Sequence, residues 1–201
     1  MNVLIACETS GVVREAFLRR GHSARSCDLL PADDNSPRHW QKDALTAIRL
    51  FKERVDLVDL IIAHPPCTHL ASSGARHFAA KRADGRQQQG IDLFMGIIAE
   101  CEEIGCAWAV ENPIGIMSSL YRKPDQIIQP WQFGHPETKA TCLWTNGLPQ
   151  LTKTNDVEAA MLALPVAQRH RILHLPPSPD RWKLRSKTYQ GIADAMASQW
   201  G

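Results

Sequence analysis

A doubly wound α/β fold on a mostly parallel sheet is what this 201-residue sequence predicts, and three observations carry the expectation. Strand and helix signals alternate through the first two-thirds of the chain, the order expected of βαβα units. The stretch "VDLIIA" (58–63) ends in four consecutive apolar residues, as a strand covered on both faces should. The ends of four strand-like segments carry Glu8, Asp28, His64-Pro65-Pro66-Cys67 and Glu111-Asn112-Pro113. Ligands of such sheets bind beyond the carboxyl ends of the strands.

In order, "NVLIAC" (2–7) reads as a buried strand and "GVVREAFLRRG" (11–21) as a helix closed by Gly21. "HSARSCDL" (22–29) reads as a second strand ending at Asp28. A loop, "PADDNSPRHW" (31–40), and a helix, "DALTAIRLFKERV" (43–55), follow. After the third strand a polar loop is expected through about Gln88, then the amphipathic helix "GIDLFMGIIAECEEIG" (90–105) and a fourth strand, "CAWAVEN" (106–112). Beyond Pro113 the pattern loosens. One strand signal in "KATCLWTNGLP" (139–149) ends on an Asn-Gly turn, and residues 150–186 are rich in proline and arginine around one short helical stretch, "DVEAAMLALP" (156–165). "KTYQGIADAMASQW" (187–200) reads as a last helix. The length suits a single domain over residues 1–201, with no internal repeat.

Composition is that of an average globular protein, 44% hydrophobic and 22% charged, with a formal net charge of +2. The whole-molecule field therefore decides nothing about partners, but its distribution does more. Residues 64–90 carry Arg76, Lys81, Arg82 and Arg86 against Asp84, and residues 166–190 carry six Lys/Arg against Asp180 alone. Two basic segments suit a phosphate-bearing partner on one side; solvated loop cations are the plain alternative. The six cysteines form no CxxC pair, the N-terminus lacks a charged and cleavable leader, and no apolar run is long enough to span a membrane. A reducing cytoplasm with free thiols is the expected setting.

Cys67 follows a rigid Pro65-Pro66 at a strand end, so the loop is stiff where it carries the thiol. Arg76 and His77 are the nearby cations expected to activate a thiolate; a turn with an incidental buried cysteine is the competing reading. Glu111 at the next strand end would face the same crevice, and burial is expected to raise its carboxyl enough to share a proton near neutrality. Asn112 ahead of Pro113 also reads as a turn cap. A nucleophile and a carboxyl on two strand ends is the arrangement for covalent catalysis assisted by an acid. His64, Cys67 and His69 are potential metal ligands, but structural zinc needs a fourth ligand and tighter pairing, so no metal is expected.

With these residues in hand, the sequence resembles the DNA (cytosine-5)-methyltransferases, in particular small phage and prophage members. "PPCTHLASSG" (65–74) is similar to the family's Pro-Pro-Cys loop and "WAVENP" (108–113) to its Glu-Asn motif. "FGHPETKATCLW" (133–144) resembles the family strand that follows, with Phe133, Gly134 and Pro136 kept. "YQGIADAMA" (189–197) resembles the closing motif, with Asp194 where the family has Asn. The order of the four matches covers nearly the whole chain.

The resemblance implies a Rossmann-like methyltransferase fold using S-adenosyl-L-methionine, and a bacterial or phage-infected cell as setting. It implies Cys67 as the nucleophile at cytosine C6, Glu111 on the N3 and amino edge, Asn112 and Pro66 as supports of the nucleophile loop, and a basic, flexible loop from Ala71 to Gln89 closing over the nucleic acid. A base within a duplex would be flipped out to reach such a site. For the cofactor it implies Glu8 and Ser10 near the methionine part, Gly11 in a reduced glycine loop whose helix-start amides meet the carboxylate, Asp28 on the ribose, Asp43 near the adenine, and Asp194 from the closing motif. Helix capping competes for Asp43.

Three departures bear on substrate. Thr68 replaces the Gln usual after the cysteine, and Glu137, Lys139 and Thr141 replace a Gln and two arginines. Residues 150–186 stand where the family has a much larger recognition domain; they hold Arg169, His170, Arg171, His174, Arg181, Trp182 and Arg185, a basic and aromatic set. Arg76, Lys139, Arg181 and Arg185 are the expected substrate contacts, with DNA, double- or single-stranded, as the partner and a homodimer as one way to add contacts. A free cytidine nucleotide as substrate, and a catalytically silent nucleic-acid-binding relative, are the alternatives.

Overall fold

Four apolar residues in a row at 60–63 demand cover on both sides, and the chain provides it. A computed structural model, describing residues 1–201, places them at the centre of a seven-stranded sheet. The strands are β1 (Asn2–Ala6), β2 (Ser23–Asp28), β3 (His39–Gln41), β4 (Leu60–Ala63), β5 (Ala107–Pro113), β6 (Gln126–Ile128) and β7 (Thr141–Asn146), in the order β3-β2-β1-β4-β5-β7-β6. β1 to β5 pair in parallel; β7 is antiparallel to both β5 and β6. The helices are α1 (Val12–Arg19), α2 (Ala44–Arg54), α3 (Phe78–Ala83), α4 (Arg86–Ile104), α5 (Met117–Leu120), α6 (Glu158–Ala163), α7 (Val166–Arg169), α8 (Arg171–His174), α9 (Arg181–Ser186) and α10 (Gln190–Gln199). None is long and apolar enough to cross a membrane.

The two-residue period of the strands divides the core cleanly. Leu4, Ile61, Trp108, Val110 and Trp144 join Ile48 and Phe51 of α2 and Phe94 and Ile97 of α4 on one face. Val3, Ile5, Leu60, Ile62, Ala109 and Leu143 join Val13 and Phe17 of α1 and Ile192 and Met196 of α10 on the other. Phe94 meets Trp144 edge to face, ring centroids 5.2 Å apart.

Beyond β1 the chain runs outward to β2 and β3, then crosses back to β4 on the other side. The order therefore reverses between β1 and β4, which opens a crevice at their carboxyl ends. The expected α/β architecture is present, with differences. β3 begins in the expected loop 31–40 and ends one residue past it, and β6 has no sequence signal; both are three-residue edge strands, too short to show a period. The expected loop from Ala71 to Gln89 is mostly helical: a 3₁₀ turn at Ser72–His77, then α3, then α4 starting at Arg86.

Candidate active site

The thiol-bearing loop is fixed from three directions. At the end of β4 the His64 amide donates to Ala6 O at 3.0 Å, after which Pro65 and Pro66 offer the sheet no donor. Asn112, buried at the end of β5, donates through Nδ2 to Pro65 O at 2.8 Å and to Glu111 O at 3.1 Å. Past the cysteine, Cys67 O accepts from the Leu70 and Ala71 amides at 3.0 and 2.9 Å, closing a turn. Lys81 of α3 reaches back to donate to Thr68 O, and Gln87 of α4 donates to His69 O at 3.1 Å. The segment after β5 pairs with the same turn, Ser72 N donating to Ile114 O at 2.9 Å and Ile116 N to Leu70 O at 3.0 Å. A Cβ at Gly115 would lie 2.3 Å from Leu70 O, so the approach requires glycine. Within this frame Pro66 is exposed and Cys67 half-buried.

Burial and the Glu111 carboxylate push the Cys67 thiol above its ordinary range, while Lys139 and Arg185 draw it back. Those two, and not the expected pair, are the cations acting on it. Arg76 and His77 are exposed on the 3₁₀ turn, with Arg76 Nε donating to His77 Nε2 at 2.9 Å; one turn of backbone carries them outward. Glu111 also departs from expectation. Burial does push its carboxyl up, but the His64 hydrogen bond and charge, Lys139 and the Thr141 side chain together hold it below the usual carboxylate range. His64 Nδ1 lies 3.1 Å from Glu111 Oε2, with side chains only 9% and 17% exposed.

In the other half of the crevice, Glu8 is buried and accepts the Val13 amide at 2.7 Å and the Arg14 amide at 3.3 Å; Ser10 Oγ donates to it at 3.4 Å. The first turn of α1 is thus capped by the chain's own carboxylate. This corrects the expectation of free helix-start amides for a ligand carboxylate: Glu8 already holds the position that the helix dipole favours for an anion. Gly11 begins α1 at a φ of 67°, and a Cβ there would lie 2.4 Å from Arg14 Nη2. Arg14 is fully buried. It donates to Ser26 Oγ at 2.8 Å and to Asp34, and Ser26 Oγ meets His39 Nδ1 at 2.9 Å, pinning the loop between β2 and β3. Asp28 and Asp43 each hold backbone with Oδ1, at Leu30 N and Thr46 N, both at 2.9 Å. Asp43 is the N-cap of α2, so the capping expected of it is present; the Thr46 amide and hydroxyl hold its carboxyl below the ordinary range.

Other expected residues scatter more widely. Asp194 is exposed on α10, pairing with Arg19 of α1 at 2.8 Å and Gln190 at 2.9 Å; the ion pair faces solvent, away from the acids at the strand ends. Lys139 Nζ donates to Lys187 O at 3.4 Å and lies 5.8 Å from the Tyr189 ring centre. Glu137 takes Arg171 and the Tyr189 hydroxyl, both at 2.8 Å. Arg181 donates to Leu173 O at 3.4 Å. Lys183 pairs with Asp33 at 2.8 Å, which ties α9 to the loop after β2 while Arg185, on the same short helix, acts on Cys67. The sequence alone does not show three of these contacts: His64, a strand-end residue and potential metal ligand there, acts on Glu111; Thr141, in place of an arginine, also acts on Glu111; and Lys183, one cation of the basic segment, pairs with Asp33. His64 carries a signal, a titratable side chain directly before Pro-Pro, and Lys183 belongs to the basic segment; Thr141 has none outside the fold.

No protein-family model matches the chain, and no curated protein matches it in sequence. Among solved structures it is similar to a protein encoded within an E. coli prophage and provisionally described as a DNA modification methyltransferase. The two share 18% sequence identity at a TM-score of 0.55, over 83% of this chain and 56% of the other. The chain thus spans a little over half the length of that neighbour, and at this identity the likeness shows a common fold.

Proposed function

We propose that the protein methylates C5 of cytosine in DNA, with S-adenosyl-L-methionine as donor and a transient bond from Cys67 Sγ to C6. The observation that carries this reading is the pairing of Cys67 and Glu111. They stand beyond the ends of adjacent strands, on loops locked to each other by Asn112 and Gly115, and the Glu111 carboxylate acts on the ionisation of Cys67. Nucleophile and edge-reader in a fixed relation is what conjugate addition to cytosine requires.

The acid set fits a sulfonium donor with vicinal hydroxyls: Asp28 suits the ribose, Asp43 the adenine edge, and Glu8 a positively charged methionine head. That donor would supply an electrophilic methyl group. Glu111 would accept from the C4 amino group, and engaging the base would disperse the negative charge that raises the thiol. Lys139 and Arg185 would then favour the thiolate, so the nucleophile is activated when a base is in place. In a duplex the target must leave the stack to reach this site.

Methyl-labelled S-adenosylmethionine incubated with duplex DNA, single-stranded DNA and dCMP tests the proposal. Label on C5 of cytosine in DNA, at least about 1,000-fold reduced in Cys67→Ser, is the expected result. Label on adenine, or label unaffected by Cys67→Ser, overturns it. One observation favours a second reading, a free cytidine nucleotide: residues 150–186 contribute only the short helices α6–α9, and α9 is tied down at Asp33. Label on dCMP alone would establish that reading.

A further inference from the structure

His64 acts on two carboxylates, the partly buried Glu111 and the buried Glu8. Its Nδ1 meets Glu111 at 3.1 Å, and its charge is felt by Glu8 at the end of β1. The side chain is 9% exposed, and its other nitrogen, Nε2, is buried without a hydrogen-bond partner. A buried imidazole with one edge paired and the other bare is costly to keep for structure alone. The chemistry proposed above supplies a use. Glu111, held low, meets the base as an anion; it can accept from the C4 amino group but has no proton to give N3.

Resting on the reading of Cys67 and Glu111 as a cytosine C5 site, we infer that His64 is a positioning residue that relays a proton from Nδ1 through Glu111 to N3 and takes it back by the same path. As the Sγ–C6 bond forms, the C5=C6 pair moves to C4=C5 and the C4=N3 pair to N3. N3 takes a proton from Glu111, which takes the Nδ1 proton of the imidazolium and leaves a neutral imidazole. Once C5 carries the methyl group, its new bond made from the C4=C5 pair, the N3 pair re-forms C4=N3 and N3 returns its proton to Glu111; C5–H then gives its proton to water, and its pair restores C5=C6 as Sγ–C6 breaks and the thiolate leaves. The relay works among several other groups: Glu8 from β1 with Arg14 behind it, Cys67 from the β4 loop, Cys142 and Lys139 from the β7 segment, and Arg185 from α9.

The test pairs the wild-type protein with His64→Asn, whose amide can still donate to Glu111 from near the Nδ1 position but carries no titrating proton. His64→Gln serves if the first variant does not fold. In wild type, the ¹³C-labelled Glu111 carboxyl should show its own ionisation and a second inflection as the imidazole titrates; a single inflection overturns the relay without any variant. In His64→Asn the carboxyl should titrate higher. The alkaline limb of the methyl-transfer rate should move acid by about one pH unit or more, with the rate at pH 8 lowered about 100-fold. An active variant with an unmoved limb overturns the relay and leaves the proposed function intact. A wild-type protein that labels no cytosine overturns the function itself.

Discussion

Glu8, buried, and Glu111, partly buried, lie at the rim of one crevice, and their surroundings move them in opposite directions. Burial lifts Glu8 above its ordinary value of 4.5, with His64 and the Val13 and Arg14 amides offsetting only part. Burial pushes Glu111 upward as well, but there the partners win. As pH rises past 4.5 the unfolded chain releases the Glu8 proton before the native state does, so this group costs stability from there to its raised folded value. As pH falls below 4.5 the unfolded chain takes up the Glu111 proton first, so the stability from this group is lost through its lowered folded value. The two windows meet at 4.5 and do not overlap. In urea unfolding, Glu8→Gln should therefore gain on wild type progressively as pH rises from 4.5 toward the raised folded value of Glu8, while Glu111→Gln should change the profile below 4.5. A Glu8→Gln difference flat across the upper window would show that Glu8 is not raised. Of these two acids the sequence exposes the positions, at strand ends, but not the signs. The sign of Glu111 depends on His64, 47 residues away and brought beside it only by the pairing of β4 with β5.

At the scale of elements, the site depends on how the loops after β4 and β5 zip together. Gly115 is the closest approach, and Ala in its place must push the Leu70 carbonyl away. Gly115→Ala should cost about 1–3 kcal/mol in urea unfolding, as overpacking does. If the proposed methyl transfer is the activity, it should fall by more than the stability loss alone explains, because the displaced backbone follows the Cys67 turn. Gly96→Ala on α4, which like Gly115 has no left-handed φ and meets only the Leu45 side chain at 3.4 Å, is the comparison without a close backbone approach. Equal losses in both would mean that loop pairing has no special role. The parts of this arrangement visible in sequence are those with long periodic signals: β1, β4, β5, α1, α2 and the body of α4. The 3₁₀ turn and α3 were invisible because "SSGARHFAAKRA" has no continuous apolar stripe; its helices are held instead by Lys81 and Gln87 bonding carbonyls of the cysteine turn. β3 and β6 escaped because an edge strand of three residues is specified by its neighbour's open ladder more than by its own side chains.

For the whole molecule, a net charge of +2 hides an uneven field. The fold brings charges from residues 139 and 185 to bear on one thiol, and Lys183 links the same helix to the loop beyond β2. The local excess of cations in the sequence was readable; their convergence on Cys67 was not, because α9 is six residues long and its position is set by Asp33 and by the Lys139–Lys187 contact. If DNA approaches over α9, its phosphates meet Arg185, and each phosphate neutralised contributes about 0.9 to the slope of log binding constant against log salt. Arg185→Ala should then weaken duplex binding at low salt and reduce that slope by about 0.9. Lys153→Ala should leave it unchanged, since that ammonium is paired with Asp156 at 2.7 Å and covers Trp131 at 4.8 Å. Fluorescence anisotropy of a labelled duplex across a salt series reads both. A slope lost equally in the two variants would mean diffuse attraction, and an unchanged slope in Arg185→Ala would place the DNA path elsewhere. The expected pattern, one slope reduced and the other kept, would mean that the cation that lowers the thiol's ionisation also grips the backbone. Arg185 would then serve phosphate and thiolate from one short helix, with Lys139 as the second charge on the thiol.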